Sequence, residues 1–370
     1  MKLQKVVGVF ILVLAAVGAT GSRQSVATPL AALPSPASAS PTEGIPHFKH
    51  VVVLTEENEA AATTFAPDSP AVFLKSLRGR GVFIPNYYGV GHASLDNYIA
   101  MVSGQVLQPA TAADCGGLSL YICVQLQTPQ GGRSYADQLE QSHQSWKSYQ
   151  DGTTTPCFHA HYAAGDMSPD PYQGASTTGA RNYADRHNPF IYFADVIGNQ
   201  SRCEAHQRPF SDLSKDLANN SLPAFSFITP DTCNDGHDNP CAGRNVGGLT
   251  TADAFLKANV PALIDYLAAH DGLLIVNFDE GGTPSSAQDA ATNPRDYTCA
   301  SCASGGIGGR TGAILISPRL PQGTTVTASY DHYSLLRTLE DAFGITEHLG
   351  RAGAAAPMTE AFVGTSPGGS

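Results

Sequence analysis

Short apolar runs bounded by Gly, Pro, Asn and Asp alternate along the chain with longer segments whose apolar residues return every three or four positions. The runs at 50–54 (HVVVL), 82–84, 146–149, 224–228, 273–278 (LLIVNF) and 312–316 predict strands, several of them apolar on both faces, as strands covered on two sides are. The periodic segments at 70–79, 94–103, 134–143, 211–219, 251–269 and 332–343 predict helices. The fifth is expected to break at Pro261, which has no N–H to donate in a helix interior. This alternation predicts an α/β chain with a mixed or parallel sheet between helical layers. From 105 to 190 the pattern weakens into Gly-, Pro- and Thr-rich loops, and long loops in a folded domain are often functional. No internal repeat interrupts the scheme.

The ends read differently. Lys2 and Lys5, the apolar stretch from Val6 to Val17 and the small residues after it predict a secretory signal over 1–19. A membrane anchor is the alternative, but the stretch is shorter than the roughly 20 residues that span a bilayer. Residues 20–46, rich in Ala, Ser and Pro, read as a disordered leader, and 351–370 as a flexible tail. That leaves 47–350 as one folded domain. The formal charge of −11, with 21 scattered Lys and Arg, argues against a nucleic-acid binder.

Eight cysteines in an exported chain predict disulfides and a secreted, extracellular or cell-envelope location. Eight allow about 105 pairings, but their distribution suggests local closure: Cys115–Cys123, Cys157–Cys203, Cys233–Cys241 and Cys299–Cys302. A zinc or redox reading of Cys299-x-x-Cys302 lacks a second Cys pair or His at finger spacing.

The candidate chemistry lies in three separated fragments: TEEN at 55–58, HASLDNY at 92–98 and FDEGG at 278–282. Two of them end predicted strands, and ligands of an open parallel sheet bind beyond the carboxyl ends of its strands. Glu57, Asn58, Asp279 and Glu280 offer hard oxygens to a divalent cation. Ser94 opens a predicted helix, where unpaired N–H groups and the dipole suit a phosphoryl oxyanion; alone it reads rather as an ordinary N-cap, and the carboxylate-ended strands reverse that preference. His187, in RHNPF, precedes an extended Asn188-Pro189 pair, and in isolation reads as a satisfied histidine. NDGHD at 234–238 follows AFSFI and reads as a turn, or as a place where His237 protonates a leaving alcohol.

Taken in order, HVVVLTEEN, HASLDNYIAMVSG, RHNPF, FITPDTCNDGHD, VNFDEGG and DHYSLLRTLEDAFG resemble the phosphoesterase family of the alkaline phosphatase superfamily, over roughly residues 47 to 345. That family holds secreted acid phosphatases, phosphatidylinositol phosphatases and non-specific phospholipases C. The resemblance implies an alkaline-phosphatase-like three-layer α/β/α sandwich with a mostly parallel central sheet, and makes 47–350 the catalytic domain. It implies one divalent ion (Mg, Ca, Mn or Zn) held by Glu57, Asn58, Ser94, Asp279 and Glu280, with His187 and His237 in the substrate pocket. Two-metal relatives carry a further Asp-x-x-x-His pair and a late His. Here the matching positions are Asp231, Asp235 and His332, and Asp in place of the expected His puts a second metal in doubt. Ala93 and Asp96 also stand where many relatives have Pro.

The expected reaction is attack by Ser94 on phosphorus, protonation of the leaving oxygen by His237, with His187 its partner or a phosphate contact, and hydrolysis of the phosphoserine. Asn58 and Asn97 are expected to hydrogen-bond the phosphoryl oxygens, with Arg310 a weaker candidate. Charged histidines would favour phosphate monoesters and activity below neutrality. The substrate is expected to be a small-molecule or lipid phosphomonoester, phosphoinositides included, with transient membrane-surface contact and no protein partner. Alternatives are a phospholipase C-type phosphodiesterase and an inactive exported phosphate- or metal-binding protein. A sulfatase reading lacks the Cys-x-Pro-Ser-Arg context.

Overall fold

Each of the six predicted strands forms, within two residues at either end, because its apolar run is buried between two layers. Among the described residues, four strands of two or three residues escape pattern reading. A computed structural model describes residues 43–127, 132–171, 182–302 and 304–363; the expected signal and nearly all of the expected leader lie outside them. The strands are β1 (His50–Glu56), β2 (Val82–Ile84), β3 (Tyr87–Tyr88), β4 (Trp146–Gln150), β5 (Gln207–Pro209), β6 (Phe225–Thr229), β7 (Gly272–Phe278), β8 (Ala313–Ile316), β9 (Thr324–Thr325) and β10 (Tyr330–Asp331). Eight of them make one sheet in the order β5-β4-β6-β1-β7-β8-β2-β9, while β10 and β3 pair apart. β8 alone runs against its neighbours, so the sheet is mostly parallel.

β1 lies between β6 and β7, with Val53 opposite both Phe227 and Ile275. Its side chains alternate between two cores. Val51 and Val53 pack with Leu95, Tyr98 and Leu335 on one face, and Val52 and Leu54 with Leu256, Val260 and Leu263 on the other. The layers are therefore α/β/α, and the carboxyl ends of three adjacent central strands open on one edge, the setting in which parallel sheets bind ligands.

Two expectations are corrected here. The Leu249–Ala269 helix runs unbroken through Pro261. The proline removes one N–H, but the carbonyl it orphans belongs to the exposed Lys257, where water can satisfy it, and buried Leu256, Val260, Leu263, Ile264 and Leu267 hold the helix to the sheet. The expected tail is folded as far as Phe362. Ala352, Met358 and Ala361 are fully buried, and the Phe362 ring packs 6.1 Å from that of Phe48. At the other end packing already includes Ile45. Among the described residues no helix is long and apolar enough to cross a membrane.

The cysteines pair as Cys115–Cys123, Cys157–Cys203, Cys233–Cys241 and Cys299–Cys302. Cys157 reaches the His187 segment indirectly, through the Ala160 N–H that donates to Asp185 Oδ2 (2.8 Å).

Candidate active site

Ser94 is the first residue of the Ser94–Ser103 helix, after an extended Ala93. The turn that delivers it is held by Asn97, whose Oδ1 accepts from the Val90 and Gly91 N–H groups (2.7 and 3.2 Å) and whose Nδ2 donates to the Gly91 and Ala93 carbonyls (3.0 Å each). Those four bonds use the full capacity of an amide. Asn97 thus shapes the nucleophile loop and has nothing left for phosphate, contrary to the sequence expectation. The Leu95 N–H is likewise taken, by Asp114 Oδ1 (2.9 Å). Asp96 is buried, accepts from the Thr111 hydroxyl, and is pushed up to about 6 by burial.

The Ser94 hydroxyl donates to Glu57 Oε2 (2.9 Å). Asn58, just beyond β1, has a left-handed backbone (φ 58°), a conformation Asn tolerates better than most residues. Its Nδ2 donates to the same Glu57 oxygen (3.2 Å) and its N–H to Asp279 Oδ1 (3.0 Å), which also accepts from the Glu280 N–H (2.6 Å). The other oxygen of each buried carboxylate, Glu57 Oε1 and Asp279 Oδ2, has no hydrogen-bond partner. Glu280 turns away from this group and bonds His92 Nδ1 (2.7 Å).

The histidine segment supplies the third wall. Thr229, at the end of β6, donates to the His187 carbonyl (3.1 Å), and the His187 ring stacks on Tyr98 (centroids 5.4 Å, planes 8° apart). His187 Nδ1 bonds Asp235 Oδ2 (3.1 Å), and Nε2 lies 3.3 Å from Glu57 Oε1 without a hydrogen bond between them. With its proton held at Nδ1 by Asp235, the ring turns a lone pair toward a carboxylate oxygen. Two ligands about 2.1 Å from a common ion lie about 3.0–3.4 Å apart. Glu57, His187 and Asp235 bring ligand atoms within 4.8 Å of one another.

Burial raises Glu57 well above the usual carboxylate range, Asp279 and Asp235 raise it further, and Arg186 opposes them. Burial, then Glu280, pushes Asp279 up to about 8, against the N–H bonds from Asn58 and Glu280. Asp235 is raised by burial, and His187 is driven toward its neutral form by burial and by Arg186. Acids so placed keep protons unless a cation replaces them. The orphaned oxygens and the orphaned imidazole nitrogen fit a divalent cation, with Glu57 common to both ligand sets. The neutral His187 also withdraws one support for activity below neutrality.

The second expected metal set does not assemble. Asp231 Oδ1 accepts from the Cys233 and Asn234 N–H groups (3.1 and 2.9 Å), shaping the turn. Asp235 joins His187 instead. His332 is committed at both nitrogens: Nε2 donates to the Asp279 carbonyl (2.5 Å) and Nδ1 accepts from the Tyr87 hydroxyl (2.8 Å), with the ring held down to about 4 by burial. Its place is beneath the site, where it fixes the backbone of Asp279. Arg310 is paired with Asp296 and serves the loop there.

His237 Nδ1 bonds Asp238 Oδ1 (2.8 Å) and Nε2 bonds an Arg186 guanidinium nitrogen (2.9 Å). Arginine has no acceptor and keeps its protons, so Nε2 accepts and the ring proton sits on Nδ1. The expected proton donation from His237 Nε2 is therefore closed. Arg186 and His92 are the site members that pattern reading passed over, and Asp235, expected only for a doubtful second metal, joins His187 instead. His92 stands two residues before Ser94 in a quoted fragment, and Arg186 beside His187 in another; those adjacencies were the available signals.

The sequence matches the model of the Phosphoesterase family over residues 63–346. It is 29% identical over 311 residues to a probable acid phosphatase of Kluyveromyces lactis, covering 82% of this chain and 60% of that one. Against a phosphate-repressible acid phosphatase of Penicillium chrysogenum it is 28% identical, covering 78% and 58%. Against a phosphatidylinositol-3-phosphatase of Mycobacterium tuberculosis it is 25% identical, covering 85% and 83%. The chain thus spans about 60% of the length of the two fungal relatives. Its fold is similar to that of a Vibrio parahaemolyticus protein of the alkaline phosphatase superfamily (TM-score 0.50, 13% identity, covering 82% and 68%).

Proposed function

The chain belongs to the Phosphoesterase family, and from that premise we propose that it hydrolyses phosphate monoesters in two steps, through a phosphoserine at Ser94. The observation that carries this reading is the 2.9 Å hydrogen bond from Ser94 Oγ, at a helix start, to Glu57 Oε2, at the end of the central strand. In the first step Glu57 Oε2 takes the hydroxyl proton, Ser94 Oγ bonds to phosphorus, and the bond from phosphorus to the alcohol oxygen breaks. The departing oxygen takes a proton from His92, whose ring is partly exposed (29%) and whose Nδ1 is anchored on Glu280. In the second step water, deprotonated by His92, attacks the phosphoserine; the serine oxygen recovers its proton from Glu57 and phosphate leaves.

Glu57 and Asp279, with Asn58, Ser94 and His187 nearby, would hold a divalent cation, which when bound would supply positive charge favouring ionised serine and spreading the charge of the transferring group. Relatives named as acid phosphatases and as a phosphatidylinositol-3-phosphatase support small or lipid monoesters as the substrate class. Four disulfides support an oxidising compartment, hence export.

The test is an assay of purified protein on a matched aryl monoester and diester, with and without chelator. Monoester turnover that chelation stops is expected. Diester preference at every pH would move the protein to the phospholipase C reading, and phosphate binding without any turnover to that of an inert binding protein.

A further inference from the structure

Arg186 has no part in the sequence expectations, yet contacts connect it to the nucleophile. Ser94 Oγ donates to Glu57 Oε2, Glu57 Oε1 lies 3.3 Å from His187 Nε2, and the His187 ring is 5.7 Å from that of His237, whose Nε2 accepts from Arg186 (2.9 Å). Arg186 is as deeply set as Ser94 itself, each 3% exposed. Its charge acts on the site, lowering Glu57 and Asp235 against the effect of burial.

The acceptor that the guanidinium meets is itself held in place. Thr232 Oγ1 donates to Asp238 Oδ2 (2.9 Å), Asp238 Oδ1 accepts from His237 Nδ1 (2.8 Å), and the His237 N–H donates to Asp235 Oδ1 (2.8 Å). A ring held at Nδ1 presents Nε2 as a single acceptor to the arginine. This is the arrangement of a buried fork whose orientation is set by neighbours, and a planar guanidinium suits two oxygens of one phosphoryl group.

We propose that Arg186 binds the non-bridging oxygens of the phosphoryl group during transfer, and that His237 and Asp238 are positioning residues that orient it, selecting dianionic monoesters over diesters. The inference rests on the phosphoserine reading and adds a substrate-binding residue and a basis for selectivity. No proton moves at His237 in this scheme, because arginine occupies the nitrogen that would donate.

The experiment uses full-length enzyme with saturating divalent cation, and follows kcat and KM for a matched monoester and diester and competitive inhibition by inorganic phosphate. Arg186→Gln is expected to lower monoester kcat/KM by about 10²–10³-fold, to weaken phosphate inhibition in parallel, and to change diester hydrolysis much less. Arg186→Lys keeps the charge but loses the fork, so it should fall between wild type and Arg186→Gln; it also serves if the glutamine variant fails to fold. His237→Gln retains an acceptor for the guanidinium and should keep most of the activity, whereas His237→Leu should lose phosphate affinity along with turnover. Unchanged phosphate inhibition in both Arg186 variants would overturn the inference while leaving the phosphoserine reading intact, provided Ser94→Ala is inactive. A His237→Gln enzyme that fails only on substrates with poor leaving groups would restore His237 as the proton donor and overturn the positioning role. Absence of monoester turnover in the wild type would remove the underlying reading itself.

Discussion

Asp279, at the end of β7, and Glu340, in the His332–Ala342 helix, are both fully buried, and burial pushes each carboxyl up to about 8. Their surroundings differ. Glu340 Oε1 accepts from the Leu349 N–H (2.8 Å), and the neighbouring Asp341 is engaged by Arg337 and His348. Its Oε2 lacks a hydrogen-bond partner too, but the side chain beside it is the neutral Gln138 amide, so a single proton serves it. Asp279 stands in the field of Glu57 and Asp235, and Glu57 in turn sets a partnerless oxygen 3.3 Å from the partnerless His187 nitrogen and accepts from the Ser94 hydroxyl. Burial alone therefore marks no active site; convergence of orphaned ligand atoms on a nucleophile does.

The largest effect that sharpens this contrast is expected from Ser94→Ala, which should lower kcat by about 10⁴-fold or more while the thermal unfolding midpoint stays near wild type. Near-normal turnover would place the nucleophile elsewhere. Next, Glu57→Gln and Asp279→Asn should each weaken divalent-cation affinity by at least about tenfold, measured by calorimetry, whereas Glu340→Gln should leave it unchanged. Equal losses in all three would erase the distinction between the two acids.

His92→Gln should reduce kcat for alkyl phosphates by about 10²-fold and for aryl phosphates with good leaving groups far less. A uniform loss would deny His92 the proton. The smallest effect concerns stability. Glu340 binds its proton more tightly when folded (about 8) than an unfolded glutamate does (about 4.3), so it stabilises the fold fully below about pH 4 and loses that contribution as pH rises toward 8. Denaturant titrations of Glu340→Gln, with saturating cation, should show a flatter decline between these limits; an identical slope would contradict the assignment.

The features legible in the sequence are those set by local pattern. β1 and β7 are uniform apolar runs, and the Ser94 helix has a clean apolar period, so the convergence of Glu57, Ser94 and Asp279 followed from where strands stop. What escaped depends on direction and distant partners. Successive residues leaving a strand face opposite ways, so Asp279 and Glu280 did not both turn to Glu57; Glu280 met His92. Asn97 lies one turn after Ser94, but its amide folds back on the preceding loop. The partners of Arg186 and His332 lie 51 and 53 residues away, separations at which composition carries no information.

The central claim is that Ser94 carries the phosphoryl group, and acid quenching during turnover of a phosphomonoester tests it most directly. Peptide mass spectrometry of the quenched enzyme is predicted to find phosphate on Ser94, with none in Ser94→Ala and less in enzyme treated with chelator. Sustained monoester turnover with no phosphate on Ser94 at any quench time would contradict the account.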